Sequence, residues 1–396
     1  MPAASVEYLR GATPRRTLER LSPFLLPASW IYGAFSAGIR RVRTLDPPQR
    51  HEALVVSVGN IEMGGSGKTP VVMKLLGTAV SVGKSGTYVS RAFHSRAERF
   101  DGVTVVGARD VPVRPVAGIR IVRRDHADLA SEIGDEAAMV ARRLPDISLA
   151  LSRHKTRAVA VAEAVFAPDV VVLDDAFQSW SVHRDLNIVL VDPCRPFGNG
   201  RLLPAGTLRE EPAALSRADL VVVNGVRDAR DTRRVERAVR AEGLGVPVTG
   251  LERSLSFTTG TSAWEPEAAD PVPSLDPRAL GAVATVSGIA RPDAFDTLVA
   301  RAGARCVLSL RFPDHHRYSA DDVSAIVRRT RARGIGTVVT TEKDNVKFAP
   351  PAFAGVRVVV ARLRVRFTEP GIVEKTLKPR QDATASTSPD RRFDRI

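Results

Sequence analysis

Cysteine is nearly missing from this sequence. Cys194 and Cys306 are the only two in 396 residues, and neither sits in a CxxC or Cys/His spacing. That excludes a disulfide scaffold and a zinc site, and it fits a reducing cytoplasm. Aromatic residues make up only 5% of the chain, and no RNP or zinc-finger pattern occurs. The interleaving of basic and aromatic side chains that nucleic-acid binding wants is therefore absent, and no nucleic-acid partner is expected. No fixed-period repeat is visible, which removes solenoids and propellers. Disorder over the whole chain is excluded by 44% hydrophobic beside 26% charged residues. The length instead predicts two lobes, each burying its own core.

Charge is what the sequence has in excess. Lys and Arg number 58 against 44 Asp and Glu, a formal net charge of +14. Such a balance favours an anionic partner, a phospholipid surface or a phosphorylated substrate among them, unless it is only an Arg-rich compositional habit. Residues 1–50 stand apart. Arg10, Arg15, Arg16 and Arg20 precede an uncharged run over 21–39, and Arg40, Arg41 and Arg43 close it. Nineteen helical residues reach roughly 28 Å, barely a hydrocarbon core, and Pro23, Pro27, Gly33 and Gly38 interrupt them. A helix lying in the membrane interface fits better, with Trp30 and Tyr32 at headgroup level; a helix simply packed on the domain is the rival. A secretory signal is disfavoured by the nucleotide-binding chemistry that follows.

From 53 to about 225, apolar runs alternate with helix-like stretches. The segments 53–58, 86–90, 169–174, 186–192 and 219–224 are β-rich and apolar throughout, as in parallel strands buried on both faces. Segments 69–83 and 135–144 predict the helices between them. A turn-rich connection over 258–280 leads to a second α/β pattern, with strands expected at 282–288, 306–310 and 336–341. The alternation Leu255, Phe257 before the connection and Leu363, Val365, Phe367 at the end of 356–367 suggests a ribbon pairing the two segments. The tail from about 377 is polar and reads as disordered.

The strongest local signal is SVGNIEMGGSGKTPVV, residues 57–72, between a buried-type strand and an apolar helix. Gly64, Gly65, Ser66 and Gly67 let backbone N–H groups turn toward phosphate oxygens at a helix start. Lys68 suits the β- and γ-phosphates, and the Thr69 hydroxyl suits Mg²⁺. Glu62 stands where the generic pattern has its first glycine. Such a loop needs a carboxylate at a neighbouring strand end; Asp174 and Asp175 are favoured over Asp192, which reads equally as a cap. VVVNGVRD (221–228) lacks the lysine of a guanine-reading motif, so ATP is expected over GTP.

A phosphotransferase also needs a group to orient the attacking hydroxyl. Asp135 and Glu136 begin a helix, where capping is the bland explanation. Asp314, His315 and His316 form an acid–base candidate or a plain surface loop. The loop 197–211 carries Arg201, Arg209, Glu210 and Glu211, with forks suited to phosphate. Glu342, Lys343 and Asp344 end a strand, partly as caps.

In their order, GNxxxGGxGKTP, GDEA, LDDAFQ, GNGRLLPAGTLRE, SGIARP, FPDHHRY and TEKD resemble the tetraacyldisaccharide 4′-kinase family, the lipid A kinases of Gram-negative bacteria. The resemblance runs from about residue 21 to 347. It implies a P-loop-type parallel sheet with helices on both faces, plus a smaller α/β lobe joined by a β-ribbon. It implies transfer of the γ-phosphate of MgATP to the 4′-hydroxyl of a tetraacylated glucosamine disaccharide 1-phosphate, giving lipid IVA. The expected setting is the cytoplasmic face of the bacterial inner membrane, peripheral or monotopic, with no obligate protein partner. The residues implied are Lys68 and Thr69 for phosphate and Mg²⁺, and Asp174 and Asp175 for metal and phosphate. Asp135 is implied as base, supported by His315, with Arg209 and Glu210 near the acceptor. The expected division is 1–50 membrane-associating, 51–250 kinase core, 251–280 linker, 281–376 second lobe with a returning strand, and 377–396 tail. One departure stands out: where members carry an RGYGG-like segment, residues 90–96 read SRAFHSR. The competing reading is a P-loop ATPase or GTPase assembly factor with no lipid acceptor.

Overall fold

The computed structural model describes residues 4–9, 25–43, 48, 50–64, 67–109, 113–114, 116–259, 274–348, 353 and 355–377. Arg10, Arg15, Arg16, Arg20, Gly65, Ser66, the stretch 260–273 and the tail beyond 377 lie outside the described residues.

Fourteen strands are described. They are β1 (Ser5–Tyr8), β2 (Leu54–Asn60), β3 (Gly86–Ser90), β4 (Val103–Val106), β5 (Ile119–Ile121), β6 (Ser148–Leu151) and β7 (Val170–Asp174) in the first part of the chain. β8 (Leu186–Val191), β9 (Leu220–Asn224), β10 (Val248–Thr259), β11 (Ala282–Ser287), β12 (Arg305–Arg311), β13 (Thr337–Thr341) and β14 (Arg357–Phe367) follow. All belong to one mixed α/β sheet, in the order β1-β12-β11-β13-β14-β10-β9-β8-β2-β7-β3-β6-β4-β5. It is mostly parallel; β10 with β14 and β4 with β6 are the antiparallel pairs among the described strands.

Side-chain alternation explains why these runs are apolar throughout. Val170 and Val172 of β7 join Val56 and Val58 in the core on one face. Val171 and Leu173 join Val55 in the core on the other. A strand with helices on both sides has no wet face to spend on polar residues. The helix Lys68–Ser81 buries Val72, Leu75, Leu76 and Ala79 in the first of these cores. The pattern repeats beyond residue 280. Val283 and Val339 meet Phe295 and Val299 of the helix Pro292–Arg301, while Ala284, Val286 and Val338 face Ile326 of the helix Ala320–Arg331.

β10 and β14 carry the sheet across its middle. β10 begins beside β9, from Val248↔Val221 to Leu251↔Asn224, then continues against β14 from Leu251↔Phe367 to Thr259↔Val359. β14 pairs with β13 at its other end. Beneath this junction a buried ion pair joins Arg143 to Glu342 at 3.1 Å, and Arg143 also donates to the Leu363 carbonyl.

The N-terminal segment is fastened at two places. β1 adds a parallel edge strand to β12, and Glu7 accepts from Arg329 and Arg333 at 3.0 and 2.6 Å. The helix Leu26–Arg43 lies instead on the loop 197–211. Its buried Ser29 donates to the Leu202 carbonyl and accepts from the Ala205 amide, both at 2.9 Å. Tyr32, expected beside Trp30 at headgroup level, donates its hydroxyl to the Arg209 carbonyl at 3.3 Å and faces the protein. The helical period divides 29, 32 and 33 from 31, 35 and 42. Trp30 (73% exposed), Ile31, Phe35 and Val42 are left facing outward.

Candidate active site

β2 delivers the chain to the phosphate loop, and the helix Lys68–Ser81 begins immediately after Gly67. Gly67 is left-handed (φ 69°), a conformation costly to any residue with a Cβ. Lys68 Nζ donates to Asn60 Oδ1 at 3.2 Å and lies 3.3 Å from Asp175 Oδ1. One step into the helix, Thr69 donates to Asp174 Oδ2 at 3.0 Å, and Tyr88 donates to the same oxygen at 3.0 Å. Burial and the nearby Glu136 charge push the Asp174 carboxyl up.

Asp175 turns the other way because its backbone is also left-handed (φ 51°). Arg209 donates to both of its carboxylate oxygens at 3.1 Å, and Lys155 donates to its backbone carbonyl. Burial favours the neutral acid, yet Lys68, Arg209 and Lys155 hold Asp175 down at about 2. Two adjacent aspartates thus sit in opposite electrostatic settings. Asp192, the other candidate, caps the amides of Cys194 and Arg195 and pairs with Arg291 at 2.8 Å.

The acid–base candidates meet across the sheet. Gly134 (φ 89°) swings the chain into the helix Asp135–Arg143, so Asp135 lies inside the first turn and is not its cap. His315 is left-handed too (φ 60°), and its amide donates to the Gly288 carbonyl of the SGIARP segment at 3.2 Å. Its Nδ1 lies 3.0 Å from Asp135 Oδ2, and its Nε2 lies 3.3 Å from Lys343 Nζ. Burial disfavours a charged carboxylate at Asp135, but the His315 hydrogen bond, Lys343 and Lys347 bring it to about 2. Burial also works against a charged imidazole, yet the bond to Asp135 raises His315 above its ordinary value. His316 diverges from it, bonding Asp322 at 3.0 Å and stacking on Phe312. The adjacent histidines therefore do unlike things.

Lys68, Thr69, Asp135, Lys155, Asp174, Asp175, Arg209 and His315 line one cavity of about 1230 Å³, along with Gly64, Gly67, Lys343, Arg253 and Arg291. Glu210 is not on its wall. It accepts from Arg217 and Gln178 at 2.8 and 2.9 Å and lies 3.7 Å from Arg40 of the N-terminal helix, which makes it a brace for the loop. In the SRAFHSR segment Ala92 and His94 hold positive φ (55° and 59°), and Phe93 lines the cavity with its ring centroid 6.1 Å from that of His315. Among the described residues no three His, Cys, Asp or Glu side chains form a ready-made metal cage. The Thr69 hydroxyl and the Asp174 and Asp175 carboxylates beside Lys68 are hard oxygen donors of the kind that would suit a magnesium ion, and of these Thr69 and Asp174 are in direct contact.

Arg253, Tyr88 and Lys155 sit in no recognisable motif, Asn60 lies inside GNxxxGGxGKTP without a role the sequence assigns, and Lys343 reads from the sequence as part of a cap.

Comparison with known proteins bears on the whole chain. The family model described as LpxK, tetraacyldisaccharide-1-P 4′-kinase, matches residues 21–381. A tetraacyldisaccharide 4′-kinase of Anaeromyxobacter dehalogenans (strain 2CP-C) is 35% identical over 328 residues, 81% of this chain and 80% of the relative. One from Syntrophotalea carbinolica is 33% identical over 373 residues, covering 90% and 91%. Among solved structures, LpxK from Aquifex aeolicus in complex with ATP superposes with a TM-score of 0.65 at 25% identity, over 90% of this chain and 98% of that one.

Proposed function

The chain belongs to the tetraacyldisaccharide-1-P 4′-kinase family, ATP-binding enzymes of lipid A biosynthesis, and from that premise we propose what each group around the cavity does. The reaction is transfer of the γ-phosphoryl of ATP to the 4′-hydroxyl of a tetraacylated glucosamine disaccharide 1-phosphate. The observation that carries the reading is the convergence of Lys68, Thr69, the aspartate pair and Asp135–His315 on one cavity.

Backbone amides around Gly64 and Gly67, with Lys68, grip the terminal phosphates at the positive end of the helix. Thr69 and Asp174 would hold Mg²⁺, which neutralises charge on the phosphate oxygens when bound. The acceptor oxygen bonds to the γ-phosphorus, the bond from it to the β,γ-bridging oxygen breaks, and that bond's electron pair stays on the bridging oxygen as ADP leaves. The hydroxyl proton passes to Asp135. A carboxylate held at about 2 is a weak base, so basicity contributes little here. In a loose phosphoryl-transfer transition state the proton leaves late, and holding the hydroxyl in line matters more. His315, Lys343 and Lys347 keep Asp135 ionised and aimed. Arg209 and Asp175 border the phosphate and acceptor ends of the cavity.

In architecture we read two α/β lobes on either side of the β10–β14 ribbon, the first a P-loop core. The outward face of the helix Leu26–Arg43 rests on the anionic cytoplasmic face of the inner membrane; among the described residues no helix is long and apolar enough to cross a membrane. A tetraacylated acceptor is held in the bilayer by roughly 0.8 kcal/mol per buried CH₂, so the enzyme must come to it.

The test is incubation with γ-labelled ATP and purified disaccharide 1-phosphate beside a control without lipid. Label in the lipid, lost on Lys68→Ala in a folded protein, is the expected result. ATP hydrolysis that ignores the lipid and labels nothing would support the assembly-ATPase alternative instead.

A further inference from the structure

The ribbon brings a guanidinium to the phosphate loop. Arg253 lies on β10 where that strand has left β9 and pairs only with β14, opposite Val365. Its side chain runs back toward the nucleotide end of the cavity and lines it. The stem passes over Gly225, where an added Cβ would stand 3.3 Å from Arg253 Cδ. An η nitrogen reaches Gly67, where an added Cβ would stand 2.5 Å from it. Two glycines with positive φ thus form a slot for one arginine. Asn224, at the carboxyl end of β9, fixes the orientation by accepting from Nε at 2.7 Å. Ligands of open α/β sheets bind at these carboxyl ends.

The guanidinium keeps its charge where it stands. Burial lowers Arg253 to about 10, still fully charged at neutral pH. A planar fork pressed against the residue before Lys68 matches the geometry of phosphate oxygens.

We propose that Arg253 is a catalytic arginine supplied in cis by the ribbon, contacting the transferring phosphoryl group beside Lys68. This rests on the phosphate-loop reading above.

The experiment compares Arg253→Ala, Arg253→Lys and Lys68→Ala in the full-length enzyme with ATP and disaccharide 1-phosphate. Arginines of this kind contribute factors of about a hundred to many thousands to turnover. We expect kcat of Arg253→Ala to fall about a hundredfold or more with KM for the lipid unchanged. Lysine should restore little, and millimolar guanidinium should return part of the alanine variant's rate. A kcat within about threefold of wild type overturns the inference. So does a loss that guanidinium does not relieve and that follows a drop in Tm, since either places Arg253 in a structural role. Should Lys68→Ala also keep full activity, the phosphate-loop reading itself fails; a dead Lys68→Ala beside an active Arg253→Ala sinks only the arginine.

Discussion

His315 and Asp135 lie 180 positions apart in the chain and 3.0 Å apart in space, Nδ1 against Oδ2. One residue starts a helix of the first half of the sheet; the other sits in a loop after β12. The pair exists only while both halves hold their positions.

Asp135→Ala is expected to lower kcat by about 10²–10⁴-fold with little change in KM for ATP. His315→Ala should lose less, because Lys343 and Lys347 still flank the carboxylate. Steady-state kinetics decide it; a pure KM effect would demote Asp135 to a binding role.

The same pair sets a pH window. Asp135 falls from 3.8 to about 2 on folding, so its contribution, about 2 kcal/mol, is present above pH 4 and lost as pH drops through 2. His315 moves upward, so its contribution is complete below 6.5 and disappears as pH rises through its folded value. Stability from the pair is thus greatest between about pH 4 and 6.5. Asp135→Asn should flatten the acid side of a Tm-against-pH curve and lower the His315 titration followed by NMR. An unmoved His315 titration would contradict the pairing.

Thr69→Ala and Asp174→Asn should each raise the Mg²⁺ concentration for half-maximal activity, by roughly tenfold or more, since each removes an oxygen donor from the pair. Titrating the metal at saturating ATP checks this. An unchanged requirement would move the metal elsewhere.

Trp30→Glu combined with Phe35→Glu alters only the outward face of the helix Leu26–Arg43, leaving Ser29 and Tyr32 on the loop. Tm should hold while flotation with anionic phospholipid vesicles drops sharply. Undiminished flotation would rule out this face as the membrane contact.

Gly67→Ala puts a Cβ in a left-handed backbone, at about 1–2 kcal/mol, and against the Arg253 guanidinium. A modest fall in Tm with a much larger fall in kcat/KM for ATP is expected from calorimetry and kinetics.

Local chemistry was legible where neighbours in sequence are neighbours in space. The run 169–174 announced a strand buried on both faces, and Lys68–Thr69 follow their glycines directly. Asp135 and His315 were readable only as members of motifs, since nothing in either segment indicates the other. Arg253 was invisible: its slot is made by Gly67 and Gly225, and its oxygen partner belongs to Asn224, a residue considered only for guanine reading. Tyr32 was misplaced because an apolar run was read by composition, whereas the helical period separates its stripe from that of Trp30 and Phe35. β1 escaped notice because four residues at a sheet edge carry no pattern of their own.

Arg209 gives its carbonyl to the phenol of Tyr32 and its guanidinium to Asp175. A single amino acid therefore stands between the greasy exterior of the N-terminal helix and the carboxylate touching Lys68. A detergent micelle that tugs the helix off its seat drags this side chain along, so turnover should depend on the amphiphile chosen for the assay even at constant dissolved lipid.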